Sequence, residues 1–197
     1  MRFVSRTALA LAAVVAVAAC DRSQPPAPAE PAAPAATPAD PAAGPTISDG
    51  GLAIEAEGLR LFDDTGAARA IPFGTPQATA IAAVAASVGG AAPEVTTNSE
   101  CGAGATQFAQ FSNGLQLLFQ NGQFQGWYVD QAGVTTVDGM GVGSTRASID
   151  DSRAIEMQTD STLGEEFTSG DIGGFLSDGT PQGTVKGLYA GLTCFFR

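Results

Sequence analysis

Any chemistry in this chain has to be done without histidine, because none occurs among its 197 residues. That removes the commonest general base, the Ser-His and Cys-His nucleophile pairs, and imidazole metal ligands. What remains for acid–base work is twenty Asp and Glu, set against nine Lys and Arg that include a single lysine, Lys186. Adjacent acids occur at Asp63-Asp64, Asp150-Asp151 and Glu165-Glu166. Neighbours in a strand point to opposite faces and neighbours in a helix diverge, whereas a glycosidase needs two carboxyls facing each other across about 5 to 9 Å. The pairs therefore read as solvated surface charge; a carboxylate-dependent hydrolase is the catalytic alternative, and no catalytic residue is assigned. No D-x-D-x-D-G calcium loop occurs, so no metal ligand is assigned. The glycine run "GMGVGSTR", Gly139 to Arg146, precedes a helix start as phosphate cradles do, yet it has neither the Walker lysine nor the dinucleotide spacing. The expectation is a non-enzymatic chain with no cofactor and no nucleotide.

Thiols are the other reactive groups, at Cys20, Cys101 and Cys194. The first follows a recognisable leader: Arg2 and Arg6, then the uncharged run "TALALAAVVAVAA". That run is too short for a membrane span of about 20 residues. The "VAAC" at Val17 to Cys20 resembles the bacterial lipoprotein signal, in which small residues admit a peptidase and the cysteine thiol accepts the lipid. The resemblance implies a signal peptide over 1–19 and a lipidated, palmitate-bearing Cys20 that anchors the chain in the cell envelope, facing the periplasm. Two or three acyl chains hold a protein to a membrane stably, where one is marginal. Asp21 resembles the inner-membrane retention signal of enteric lipoproteins, a rule other lineages do not all follow, so the choice of membrane stays open. Export also bears on Cys101 and Cys194, which are even in number in an oxidising compartment and are expected to pair. By the chain-entropy estimate, closing a loop of about 93 residues contributes at most about 4 to 5 kcal/mol.

Between Cys20 and Thr46 the chain carries eight of its twelve prolines, alternating with alanine. Such a segment fixes φ, removes donors and has little to bury, so 20–46 reads as a disordered Pro/Ala-rich tether. At about 3.1 Å per residue it reaches on the order of 70 Å. Residues 47–197 have the length of one domain. Removing the signal takes Arg2 and Arg6 and moves the net charge from -11 to -13, which disfavours nucleic acid and anionic headgroups as partners.

Within the domain one phrase is written twice, "IPFGTPQATAI" from Ile71 and "VGSTRASI" from Val142. In the first copy Thr75 reads as an N-cap and Pro76 as the first helical residue. Ile81, Val84, Ala85 and Val88 follow on one face, and Gly89-Gly90 is the stop. In the second, Gly143 matches Gly74 and Ser144 matches Thr75 as N-cap. After the first helix, β-rich runs holding Phe108, Phe111, Leu115, Leu117, Phe119, Phe124 and Trp127 are broken by Asn113-Gly114 and Asn121-Gly122, the strongest short hairpin signal. After the second come "AIEMQT", "GEEFTS", "IGGFLS", "GTVKGLYAG" and "LTCFFR". The lead-in "GLAIEAEGLRLF" alternates like strands. The expected fold class is α+β: two degenerate repeats, about 67–130 and 135–197, each a short helix followed by a small antiparallel β-meander.

This tandem turn, helix and meander resembles the β-lactamase inhibitory protein architecture. The stretch "FGTPQATAIAAVAASVGGAAP" is similar to a phrase of the SmpA/OmlA lipoproteins, which assist outer-membrane barrel assembly. The resemblance implies a non-catalytic protein-binding or assembly module whose partner is another envelope protein; a periplasmic inhibitor or chaperone-like role is the alternative. Trp127, Tyr128 and Tyr189 are the candidate binding surface. Trp127 and Tyr128 are neighbours in a strand, so one faces the core and the other solvent. The anchor is tested by Cys20→Ser, which is expected to move the protein from the membrane to the soluble fraction on cell fractionation. Full membrane retention of the variant would contradict it.

Overall fold

The structure, a computed structural model, describes residues 51–196. The expected signal peptide, Cys20 and the expected Pro/Ala-rich tether lie outside the described residues. The lead-in forms β1 (Leu52–Glu55) and β2 (Gly58–Phe62), joined by β3 (Ala68–Pro72) in a three-stranded antiparallel sheet. Their pairing sets Leu52 opposite Leu61 and Ile54 opposite Leu59, so the alternating apolar residues share one face. Helix α1 (Gln77–Ser87) follows and buries Ala80, Ala83, Val84 and Ala85. It ends at Val88 with Gly89 at φ +65°, as the glycine pair implied. Its start lies one residue later than expected: Pro76 is the N-cap and makes no side-chain cap bond, while the Thr75 hydroxyl donates to Pro72 O.

Next come β4 (Val95–Asn98), β5 (Thr106–Gln110), β6 (Leu115–Gln120) and β7 (Gln123–Val129), then α2 (Arg146–Asp150). The chain ends with β8 (Glu156–Met157), β9 (Glu165–Ser169), β10 (Ile172–Leu176) and β11 (Val185–Gly191). Asn121-Gly122 closes the β6–β7 hairpin with both residues at positive φ, 52° and 72°. The expectation of an α+β protein built from two helix-plus-meander repeats is overturned. The fold is mostly β, with the three-stranded sheet and one eight-stranded antiparallel sheet of order β4-β5-β6-β7-β11-β10-β9-β8. Two features explain the difference. Strands β7 and β11 pair along Leu188–Val129, Tyr189–Tyr128, Ala190–Trp127 and Gly191–Gly126, so what reads as two meanders is one continuous sheet. And "TRASIDDSRAI" lacks an apolar stripe, so α2 is five residues long with Ile149 its one buried side chain, capped by Thr145 rather than Ser144. Of "LTCFFR", the described residues Leu192 to Phe196 form no strand either, since β11 stops at Gly191.

One face of the large sheet carries Leu115, Leu117, Phe119, Phe124, Trp127, Val129, Phe167 and Leu188, all fully buried. They form a single core with Ile54 and Leu59 of the small sheet, Val84 of α1 and Ile149 of α2. The Trp127 indole N–H donates to Glu55 O at 2.8 Å, tying the two sheets together and satisfying the ring's polar atom.

The doubled phrase has a local meaning in this arrangement. In the first copy Gly74 N–H donates to Phe124 O, Phe124 N–H to Thr75 O, and Gln77 N–H to Gly122 O. In the second, Gly143 N–H donates to Val185 O, Val185 N–H to Ser144 O, and Arg146 N–H to Gly183 O. The same three bonds thus hook each turn onto the first residues of a central strand, β7 or β11. The glycines sit at φ +89° and +96°, which L side chains adopt only with strain. An added Cβ at Gly74 meets no atom within 4 Å, so Gly74→Ala isolates the backbone cost. Urea denaturation is expected to show a loss of about 1 to 2 kcal/mol, and an unchanged midpoint would contradict the role of the turn.

Candidate functional site

The face of the large sheet turned away from α1 and the small sheet bears a second set of side chains. Because the pleat alternates, Tyr128 points outward between the buried Trp127 and Val129, and Tyr189 between Leu188 and Ala190. The two tyrosines are register partners across β7 and β11. Phe175 on β10 and Phe108 with Leu118 on β5 and β6 lie on the same side. Phe195, beyond the end of β11, packs onto this row: its ring centroid is 5.1 Å from Tyr189, 5.3 Å from Phe175 and 5.9 Å from Tyr128, each edge to face. Phe175 and Tyr189 are 5.5 Å apart. All four rings are partly exposed.

Glycines make room for these rings. A Cβ at Gly173 would lie 2.1 Å from the Tyr189 ring, and one at Gly187 would lie 2.9 Å from the Tyr128 hydroxyl. The tyrosines thus lie flat over neighbouring strands instead of standing into solvent. Tyr189 also donates its hydroxyl to Glu166, which is buried and accepts a second bond from Ser161 at 2.5 Å. Burial, reinforced by the charge of Asp130, pushes the Tyr128 phenol above its ordinary value, so it stays neutral at physiological pH.

A strap, Leu192 to Phe196, crosses the same face. Gly191 turns at φ +70°, and Leu192 N–H donates to Gln125 O at 2.8 Å. The strap then passes so close above β7 that a Cβ at Gly126 would be 2.2 Å from Leu192 O. Cys194 lies at disulfide distance from Cys101, with Cα atoms 5.0 Å apart, as the even cysteine count implied. Between strap and sheet lies a cleft of about 260 Å³ lined by Phe108, Gln116, Leu118, Tyr128, Leu192 and Phe195 among others.

Of the residues singled out in the sequence, Tyr128 and Tyr189 come together on this face. Trp127 belongs to the core on the opposite side, with no exposed surface. Phe175, Phe108 and Leu118 are not among the candidate binding residues of the sequence, although their alternation with core positions carries the signal. The acid pairs do not converge. Glu165 is exposed and Glu166 is buried on a neighbouring position of β9. Asp150 is 3.6 Å from Arg146 one turn earlier. Asp63 caps its own turn, accepting from Thr65 and Ala67, and those bonds hold its carboxyl below the usual range. Among the described residues no three Cys, Asp or Glu side chains are grouped as metal ligands.

A second cleft, of about 490 Å³, opens where the end of β1 meets the β9–β10 turn; Ile54 and Ile172 line it, and a bidentate Arg153–Asp138 pair stands beside them. Partial burial works against the Asp138 charge, yet hydrogen bonds from Arg153 and Thr136 and the guanidinium charge hold its carboxyl below the usual carboxylate range.

No family model matches the chain, and no curated protein matches it. Among solved structures, the crystal structure of the uncharacterized protein yfeY from Escherichia coli is similar to it at 12% identity and a TM-score of 0.40, covering 60% of this chain and 90% of that one.

Because the Asp138 carboxyl is depressed in the folded state, its stabilising contribution is present above the unfolded value of about 3.9 and is lost as pH falls through the lower folded value. Asp138→Asn is expected to cost a few tenths to about 1 kcal/mol near pH 7. Urea denaturation at stepped pH should show that deficit shrinking below about pH 4. A deficit constant down to pH 2 would contradict this account.

Proposed function

We propose that the chain is a lipid-anchored protein of the bacterial cell envelope, facing the periplasm, that works as a non-catalytic binding module for another envelope protein. The anchor follows from the "VAAC" at Val17 to Cys20. The observation that carries the binding role is the outer sheet face, where Tyr128, Phe175 and Tyr189 form one aromatic row, with Phe195 packed on it, beside a cleft. Tyr and Phe are enriched in the cores of protein interfaces, since each brings a large apolar area with few rotatable bonds. The opposite face is consumed by the domain's own core. A net charge of -11 for the whole chain favours a partner whose contact surface is rimmed with Lys and Arg.

The partner protein is recovered by crosslinking the anchored protein in cells, and the face is tested by repeating the capture with Tyr128→Ala. Truncating an anchor of this kind costs about 2 kcal/mol or more in affinity, so recovery of the partner is expected to fall sharply while the circular dichroism spectrum is retained. Equal recovery from wild type and variant would sink the outer face as the binding surface.

A further inference from the structure

We propose that the Cys101–Cys194 bond is a redox latch on the outer face: reducing it frees the Leu192–Phe196 strap and uncovers the aromatic surface beneath. The inference rests on the reading of that face as the binding surface and assigns it a means of regulation.

The strap is placed over the face without being part of what holds the domain together. None of Leu192 to Phe196 belongs to the buried core cluster. Its attachments include the Leu192 N–H to Gln125 O hydrogen bond, a bond from the Asn98 side-chain amide to Cys194 Sγ, the contacts of the Phe195 ring, and the link to Cys101 in the β4–β5 loop. The covalent link is the one attachment that thermal motion cannot open. The strap passes over the Gly126 backbone, and what it covers includes Leu118 and the rings of Tyr128, Phe175 and Tyr189, with Gln116 and Asn98 beside them. With the bond intact, Phe195 occupies the centre of the aromatic cluster, where a partner's anchoring side chain would go. With the bond reduced, Phe195 competes for that position from a segment no longer tied to Cys101, so the partner binds the reduced form more tightly.

The two cysteines differ in exposure. Cys101 is 5% exposed, whereas Cys194 is partly exposed and lines the 260 Å³ cleft. A dithiol reductant of the thioredoxin class would therefore attack Cys194 Sγ through the cleft. Its thiolate forms a mixed disulfide with Cys194, and Cys101 leaves as a thiolate that takes up a proton. The second thiol of the reductant then closes on the first, and Cys194 leaves and is protonated in turn. Two electrons pass to the protein, which gains two thiols, and the reductant departs as its own disulfide.

The test is hydrogen exchange with mass spectrometry on the full mature chain, oxidised and after treatment with thioredoxin or dithiothreitol. Exchange in Leu192 to Phe196 should rise by about tenfold or more on reduction while β6 and β7 keep their protection. Binding of a hydrophobic dye should rise in parallel. The Cys101→Ser, Cys194→Ser double variant should show the open state without reductant. If the strap keeps its protection after reduction the latch is overturned. It is equally overturned if β6 and β7 lose protection together with the strap, because the bond then holds the fold itself. In Phe195→Ala with the bond intact, exchange at Leu192 should rise less than on reduction; an equal rise would make the ring the true hold and the latch wrong. A strap that opens as described, combined with partner recovery indifferent to Tyr128→Ala, would remove the binding face and leave the latch standing.

Discussion

The pairing of β7 with β11 is the constraint on which the rest of this domain depends. It joins four strands on each side into one sheet, and its register decides what each surface is made of. Trp127 with Ala190 and Val129 with Leu188 point inward, a large residue opposite a small one and two branched ones together, and the core is built on them. Tyr128 with Tyr189 point outward and seed the aromatic cluster. A slip of one residue would turn one of the two strands over, burying its phenol and turning its core residues outward, which is why such a register is strongly specified. The two turn hooks, each with three matching backbone hydrogen bonds, grip these same two strands at their first residues.

Close approach is the second theme, and glycine is its instrument at a few places only. Gly126 lets the strap backbone cross β7 at a distance that any Cβ would forbid, and Gly173 lets the Tyr189 ring lie down across β10. Rings lying flat against a sheet keep most of their apolar surface in contact with protein while leaving an edge or a face for something else. Glu166, register partner of Phe175 on the same face, completes the arrangement. A buried carboxylate is costly unless its oxygens are occupied, and here hydroxyls of Tyr189 and Ser161 donate to it. The orientation of one surface ring is thus fixed by a buried hydrogen bond as well as by packing.

How much of this was legible in the sequence follows from which interactions are local. The β6–β7 turn was, because Asn121-Gly122 is a two-residue solution to positive φ. The split of Trp127 and Tyr128 between faces was also legible, because the pleat has a period of two whatever the partner strand. The likeness of the two phrases is real, but it encodes a shared hook and not two helix-plus-meander units. The seam between β7 and β11 was illegible: alternation specifies which side of a strand is apolar and is silent on which strand lies alongside. The caps moved by one residue for a similar reason, as Thr75 and Ser144 each find a local partner at Pro72 O and Gly141 N that competes with capping. At the outer face, Phe175 was hidden because its importance comes from Phe195, which arrives from a segment that is not a strand at all.

The central seam also orders events in time. Tyr128 and Tyr189 are register partners although about sixty residues separate them in the chain, so the contact that completes the sheet is among the least local it has. During synthesis from the N-terminus, β4 to β7 with their Asn-Gly turns are made well before β11, which belongs to the last part of the described chain. Until β11 arrives, β7 is an open edge carrying Phe124, Trp127 and Val129, the kind of unpaired apolar strand that recruits other chains. The domain therefore has a vulnerable interval whose length is set by elongation and ends when residues 185–191 dock. Conditions that delay completion of the chain endanger its yield more than they endanger the finished molecule.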